Sequence, residues 1–363
     1  MSAPTPLARC LGNDPIYRRD HRKADGRMLY LYGRETHDLP LLHEGSDDLV
    51  QGGELRHHPL RDEWNVYAAH RQNRTFKPSA TDDPLAPTQI GGPETEIPFA
   101  HFELAVFENK FAALHSQAAS AAQLRGLQTE PARGACDVVV YSPEASGSLH
   151  SIGQHRREVL IASLIDRYEA LFAAGCQYVL PFENRGDEVG VTLHHPHGQI
   201  YGFERVPQVQ QRAIDAFAQS YDLADEMAQC MPDYGLGERG GINAFVPRFA
   251  RFPFEVWLAP RAMRAGPWDC TDEELQALGY WLGEITRRYD ALFKQPAATM
   301  MAFHAAPAGG SENYHFTVQF YPLLRAPGRV KYLASVEQHT GVFTVDVMPE
   351  TAVATLRDLG CND

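Results

Sequence analysis

Long apolar runs are missing from this chain. No stretch approaches the roughly 18 uninterrupted apolar residues of a membrane-spanning helix, and the first thirty residues are polar and charged instead of forming an apolar signal core. A cytoplasmic protein with no membrane partner is therefore expected. Basic residues are also scarce: 33 Lys and Arg against 46 Asp and Glu give a net charge of −13. A general DNA or RNA binder needs a positive surface for phosphate, so nucleic acid is not an expected partner. Any anionic ligand must be met by a local basic pocket. Cysteine is sparse, with Cys10, Cys136, Cys176, Cys230, Cys270 and Cys361 far apart and no C-x-x-C among them. Neither a disulfide framework nor a zinc ribbon is indicated, and buried thiols are expected. What remains is an ordinary globular composition, 44% apolar and 22% charged, over 363 residues, enough for about two domains.

The first 50 residues are polar and mixed in charge, with one strand-like run from Met28 to Tyr32 beside Asp25-Gly26, and read as an accessory extension. Trp64 to Tyr67 and Leu104 to Phe107 read as strands, and the Pro- and Thr-rich stretch from Pro78 to Pro98 as a loop. Asp137 to Tyr141 then suggests a buried strand. A helix should follow, with Ser151 and Gln154 at capping-box spacing, apolar residues at Ile161, Leu164, Ile165, Tyr168, Leu171 and Phe172, and Gly175 as its stop. Strands at Tyr178 to Phe182 and about His195 to Phe203 flank a polar loop containing Gly186 and Gly190. The same order returns downstream: a strand from Phe254 to Ala259, a capping box at Thr271 and Glu274, and a helix carrying Leu275, Leu278, Leu282, Ile285, Tyr289 and Leu292. Arg167-Tyr168-Glu169-Ala170-Leu171-Phe172 matches Arg288-Tyr289-Asp290-Ala291-Leu292-Phe293, and the same offset carries Phe182 to Phe303. Two copies of one strand, helix, strand, strand unit are the economical explanation.

The chemistry concentrates in His194-His195-Pro196-His197-Gly198-Gln199. Alternate side chains on a strand share a face, so His195, His197, Gln199 and Tyr201 would point one way. Gly198 lets another backbone or a ligand come close. A neutral imidazole can attack phosphorus, dividing a transfer between two phosphates into two displacements through a covalent phosphoryl-histidine type of intermediate. An amide such as Gln199 can donate to the oxygen where charge develops. Taken alone, H-x-H is equally a chance pair among sixteen histidines or half of a metal site.

Phe182-Glu183-Asn184-Arg185, then Gly190, then His195-Pro196-His197-Gly198-Gln199-Ile200 resembles the signature of the galactose-1-phosphate uridylyltransferases, members of the histidine triad superfamily. The similarity runs from about Glu54 to the C-terminus. It includes Leu55-Arg56-His57-His58-Pro59-Leu60, His70-Arg71 with Arg74, Phe107 with Asn109 and Phe111-Ala112-Ala113-Leu114, Phe303-His304-Ala305-Ala306-Pro307, Tyr314-His315, and Phe320 to Arg325. The resemblance implies an α+β fold of two histidine-triad-like repeats, each an antiparallel sheet with packed helices. Residues 1–50 would be an N-terminal extension, 51–205 the half carrying the nucleophile and 206–363 the second half, with the whole a homodimer. It implies UDP-glucose and galactose 1-phosphate as substrates and His197 as the nucleophile that carries uridine monophosphate between them. Gln199 would hold the phosphoryl oxygens, and His195 belongs to the same catalytic group. Arg71, Arg74, Phe107, Asn109, Asn184, Gly190 and Thr192 match positions around the nucleotide. Lys331, Tyr332, Glu337 and Gln338 match the segment that reaches the sugar phosphate.

Many relatives hold zinc with two cysteines of a C-x-x-C, a histidine after a Ser-Pro-Asp turn and the first histidine of the signature. Here Asp83-Pro84-Leu85-Ala86 and Ser142-Pro143-Glu144-Ala145 stand at the first two places and His195 alone is kept. One histidine with Asp83 falls short of the three or four ligands zinc takes. Of a second metal set, His304 and His315 survive beside Ala213 and Thr317. No metal site is therefore assigned, and no cofactor is expected for the chemistry. Lys110 replaces an acidic residue that the resemblance implies beside Asn109, which leaves the ribose contacts, and so the choice of nucleobase, open. Aligning His195 with His315 puts Thr317 opposite His197, so one chemical site per chain is expected. The alternatives are a related sugar-nucleotide phosphorylase or adenylyltransferase of the ADP-glucose type, a hydrolase of the superfamily, whose signature carries a further histidine where Gln199 stands, and an inactive nucleotide-binding homologue. His197 speaks against the last.

Overall fold

The computed structural model describes residues 4–360 apart from residues 10, 13, 36, 38–52, 74–77, 79–81 and 311. Cys10, Arg74 and Cys361 lie outside the described residues. The N-terminal segment supplies strands β1 (Thr5–Pro6), β2 (Tyr17–Arg22) and β3 (Met28–Gly33). Next come β4 (Glu54–His58), β5 (Glu63–Tyr67), β6 (Leu104–Glu108), β7 (Thr129–Pro131) and β8 (Gly134–Val140), then helix α1 (Gly153–Ala173), β9 (Tyr178–Arg185) and β10 (His197–Phe203). The second half contains α2 (Gln208–Ala218), α3 (Leu223–Tyr234), β11 (Gly235–Arg239), β12 (Ile242–Phe245), β13 (Val256–Pro260), α4 (Asp272–Leu292), β14 (Thr299–His304) and β15 (Thr317–Pro322). It closes with the small pair β16 (Leu324–Ala326) and β17 (Arg329–Val330), and helices α5 (Ser335–Thr340) and α6 (Pro349–Asp358).

The two repeats share one sheet. Twelve strands run β1-β2-β3-β6-β8-β10-β9-β14-β15-β13-β12-β11, with antiparallel pairing at the seam, where Arg185 lies opposite Thr299 and Phe182 opposite Ala302. Outward from that seam, β9, β10, β8 and β6 on one side answer β14, β15, β13 and β12 on the other. In the strands the offset is 120 and not the 121 of the helices: Gln199 lies opposite Phe182 of β9 as Gln319 lies opposite Ala302 of β14. Phe182, on the cavity face, therefore corresponds to Ala302 and not to Phe303, which packs into the core under the helices. Arg185 reinforces the seam with a two-pronged ion pair to Asp290 of α4, at 2.7 and 3.0 Å.

Both long helices cover the same face. Their buried stripes, Leu160, Ile161, Leu164 and Tyr168 from α1 and Leu275, Leu278, Leu282 and Tyr289 from α4, join Val106, Val139, Ile200, Leu258, Phe303 and Val318 of the sheet in one apolar core. The helices also meet each other. Arg157 of α1 is buried, donating to the Gly279 carbonyl of α4 at 2.6 Å and to the Leu149 carbonyl at 2.7 Å. Gly283 makes that approach possible, since a Cβ there would collide with the Arg157 guanidinium.

Local signals met two fates. Thr271 and Glu274 form the expected reciprocal cap of α4. The Ser151 cap expected for α1 does not form: the helix begins at Gly153 after Ile152, without a side-chain cap. Ser151 Oγ instead accepts from the Ser148 backbone N–H at 2.9 Å, one of the local turns that Ser side chains offer in competition with capping. The N-terminal hairpin β2–β3 continues the main sheet, with Leu29 opposite Phe107 of β6. Cys136, Cys176, Cys230 and Cys270 are buried free thiols. No helix among the described residues is long and apolar enough to cross a membrane.

Candidate active site

The face of the sheet away from α1 and α4 holds a cavity of about 370 Å³. Along β10 the even residues Gly198, Ile200 and Gly202 are buried on the helix side, while His197, Gln199 and Tyr201 line the cavity. Gly198 is required by close packing: a Cβ would strike the hydroxyl of Tyr141 and sit 3.0 Å from the Phe182 carbonyl. Phe182 and Asn184 reach the cavity from β9, and Phe107 and Val138 from β6 and β8. The turn after β9 adds Gly190, Thr192 and Leu193, and the segment after β6 adds Asn109, Lys110 and Phe111. A loop packed over Leu29, Leu31 and Phe107 through Leu85, Ile97 and Phe99 brings Pro84, Leu85 and Glu96 to the rim.

His197 is oriented by its own chain. Its Nδ1 lies 2.7 Å from the His195 carbonyl, which can only accept, so Nδ1 carries the proton and Nε2 keeps its lone pair. Burial pushes the imidazole below its ordinary pKa, against a smaller raising effect of that carbonyl. A neutral, oriented nucleophile follows.

His195 departs from its expected position. The strand begins at His197, and His195 turns into the protein interior, with Nδ1 2.6 Å from Asp83 Oδ2 and Nε2 2.8 Å from the Ser142 carbonyl. Proline at 196 explains the early end of the ladder, since it has no N–H to contribute. Both nitrogens of His195 are thereby engaged by oxygen atoms of the protein. Asp83 is held below the usual carboxylate range by its bonds to His195 and the Leu85 backbone, in spite of its burial. This side chain braces the carbonyl that orients His197 and does not line the cavity.

Asn109 is itself fixed, its Oδ1 accepting from the Phe111 backbone at 2.8 Å, and Arg71 reaches the same turn through Nη1 to the Phe111 carbonyl at 2.8 Å. The cavity thus gathers Arg71, Phe107, Asn109, Asn184, Gly190, Thr192, His197 and Gln199 from the sequence-derived set. Four residues of that set lie elsewhere. Lys331 is buried in an ion pair with Glu337 at 2.7 Å, Tyr332 is exposed, and none of Lys331, Tyr332, Glu337 and Gln338 lines the cavity. Sequence reasoning missed Leu85 and Glu96, which lie in a segment whose Pro and Thr content signals only a loop. It also passed over Glu183, whose carboxyl is buried behind the catalytic strand and bonded by the Tyr141 hydroxyl at 3.1 Å. Burial raises that carboxyl to about 7.

The second repeat shows the chemistry removed. Thr317, Gln319 and Tyr321 stand where His197, Gln199 and Tyr201 stand in the first, and the Gln319 amide donates to Thr317 Oγ1 at 3.1 Å.

The zinc positions of the family do not fit a metal here. Both His195 nitrogens are engaged as described, Ala86 and Ala145 have no donor atoms, and Glu144 bonds Arg156 at 2.7 Å. In the second set, His315 Nε2 donates to the Pro260 carbonyl at 2.7 Å and His304 Nδ1 lies 3.4 Å from the Tyr178 hydroxyl. Among the described residues no group of three or more His, Cys, Asp or Glu is arranged to hold a metal.

Fold and site together are those of a nucleotidyltransferase built from two α+β repeats that share one sheet. The profile of the galactose-1-phosphate uridyl transferase N-terminal domain matches residues 45–207. The chain is 34% identical over 317 residues to galactose-1-phosphate uridylyltransferase of Thermotoga maritima, covering 84% of this chain and 98% of that protein. It is 30% identical over 338 residues to the Haemophilus influenzae enzyme of the same name, covering 84% and 93%. The fold matches a solved uridylyltransferase with a TM-score of 0.75 at 24% identity, over 84% of this chain and 98% of that one. An ADP-glucose phosphorylase from Arabidopsis thaliana matches with a TM-score of 0.63 at 20% identity, over 85% and 99%. The chain belongs to the galactose-1-phosphate uridylyltransferase family.

Proposed function

We propose that this chain transfers uridine monophosphate from UDP-glucose to galactose 1-phosphate through a covalent uridylyl-histidine at His197. Nε2 attacks the α-phosphorus, the P–N bond forms, and the bond to the bridging oxygen breaks to release glucose 1-phosphate. A phosphate oxygen of galactose 1-phosphate then attacks the same phosphorus, the P–N bond breaks, and UDP-galactose leaves with Nε2 restored. The observation that carries this reading is the His197 Nδ1 bond to the His195 carbonyl inside the cavity. It gives the ring one fixed tautomer and leaves its nucleophilic nitrogen unprotonated. Gln199 on the same strand face donates to the phosphoryl oxygens. Arg71 supplies positive charge in a chain of net −13, together with Arg74, and Asn109, Asn184, Gly190 and Thr192 surround the nucleotide. His195 and Asp83 serve as positioning residues. The reaction needs no metal, because in-line displacement by an imidazole requires an aligned nucleophile and oxygen donors. We assign a cytoplasmic homodimer.

The test is incubation with UDP-glucose radiolabelled in the uridylyl group without acceptor, followed by denaturation and peptide mapping. Label on the peptide containing His197 is expected, together with parallel double-reciprocal lines when UDP-glucose is varied at several galactose 1-phosphate concentrations. Intersecting lines and an unlabelled protein would mean direct transfer in a ternary complex.

A further inference from the structure

A carboxylate inside an anion-binding cavity needs a reason, and Glu96 is one. It lines the same cavity as His197 and Arg71, where a free negative charge would repel the diphosphate of a sugar nucleotide. The protein nonetheless fixes it there. Lys23 Nζ bonds Glu96 Oε2, and Arg27 Nη2 donates to that same oxygen at 2.7 Å. Arg27 is itself buried, anchored by Asp25 and by the Glu108 carbonyl at 2.8 Å. Both donors take Oε2, and Oε1 receives none among the described residues. A half-satisfied, tightly held carboxylate in a cavity is an acceptor waiting for a ligand donor.

Its position says which part of the ligand supplies the donor. Lys23 sits over the Phe107 ring at 5.3 Å as well as on Glu96, so Glu96 belongs to the Phe107 side of the cavity. Phe107 on β6, Val138 on β8 and Gln199 on β10 lie in one row across the sheet. At the usual strand spacing this side is about 10 Å from the strand that handles phosphorus. A nucleotide spanning that row places its phosphate at His197 and its sugar and base toward Phe107 and Glu96. The neutral hydrogen-bond donors of a nucleotide that come as an adjacent pair are the ribose hydroxyls.

We propose that Glu96, clamped by Lys23 and Arg27 of the N-terminal hairpin, accepts the hydrogen bonds of the ribose hydroxyls of the bound nucleotide. The inference rests on the nucleotidyl-transfer reading and deepens it. The segment before Glu54 thereby acquires a role, because the β2–β3 turn completes the nucleotide pocket and lets the enzyme tell a ribonucleotide from a deoxyribonucleotide. A site built to accept from a hydroxyl rejects the analogue lacking it, because the buried acceptor is then left unpaired.

Calorimetric titration of the full chain with UMP, 2′-deoxy-UMP and 3′-deoxy-UMP tests this. The wild type should bind UMP about 10-fold or more tighter than at least one deoxy analogue, and Glu96→Gln should bring the three affinities within about threefold, mainly by weakening UMP. If circular dichroism finds Glu96→Gln unfolded, Glu96→Asp, which withdraws the carboxylate by one methylene, must shrink the same ratio. Tight binding of UMP without ribose discrimination, or a ratio unchanged in the folded variant, overturns this inference alone. Failure of the wild type to bind UMP overturns the nucleotide reading and this inference with it.

Discussion

His197 has one ring proton to place, and Nδ1 keeps it to donate to the His195 carbonyl, so the reactive nitrogen is chosen by backbone geometry. Replacing His197 with alanine should abolish transfer, whereas His197→Gly should regain part of its turnover with added imidazole, which fills the vacated space and acts as the nucleophile. Burial also decides the pH response. Because the folded pKa of His197 is depressed, the acid limb of kcat/KM should fall below the ordinary imidazole value of about 6.5. Glu183 works in the opposite sense. Its folded pKa is raised to about 7, so the stability it contributes is present below the ordinary carboxyl range and is lost as pH rises through 7. Glu183→Gln keeps the partner for Tyr141 without the charge, and should therefore stabilise the protein at pH 8 by roughly 2 kcal/mol and change little at pH 5. Urea titration at both values checks this. The face occupied by His197 and Gln199 was legible in the alternation of the sequence. The inward turn of His195 was not, because it depends on Asp83 and Ser142, residues far away in the chain.

Packing of the elements turns on a few close approaches. α1 and α4 were both evident from their apolar periodicity, and their kinship from the repeated Arg-Tyr-x-Ala-Leu-Phe. How they touch was not evident, since neither Arg157 nor Gly283 belongs to the apolar stripe that marks each helix. Gly283→Leu should drive its side chain into the Arg157 guanidinium, separating it from the Gly279 carbonyl. A loss of about 2–4 kcal/mol in urea unfolding is expected, from overpacking and from a buried cation left without its acceptors. Gly279→Ala is the milder companion, because the nearest atom it meets is the movable end of Gln154 at 3.0 Å.

At the scale of the whole molecule, hydrogen bonds hold His195, the one histidine kept at the first set of metal positions that the resemblance implies. The Asp83–His195–Ser142 bridge ties the loop before Leu85, the turn after β8 and the approach to β10, the kind of cross-link a metal would otherwise make. Prolonged chelation should leave both activity and melting temperature unchanged, and elemental analysis of the purified protein should find far less than one zinc per chain. Loss of activity on chelation, with recovery on adding zinc, would show a ligand set outside these residues. The absence of the C-x-x-C was plain in the sequence, but the bridge through His195 required folded partners 53 and 112 residues away.

The shared sheet also constrains how the chain can be made. A ribosome delivers β9 and β10 well before Thr299–His304 exists to pair with the outer edge of β9. Through that interval the first half exposes unpaired backbone N–H and carbonyl groups beside its newly formed catalytic strand, an edge to which another nascent chain can add. A fragment ending near Val206 should accordingly aggregate when expressed alone and become soluble when the second half is supplied in the same cell. Slowing translation between the two halves should lower the yield of active enzyme more than slowing it after β15.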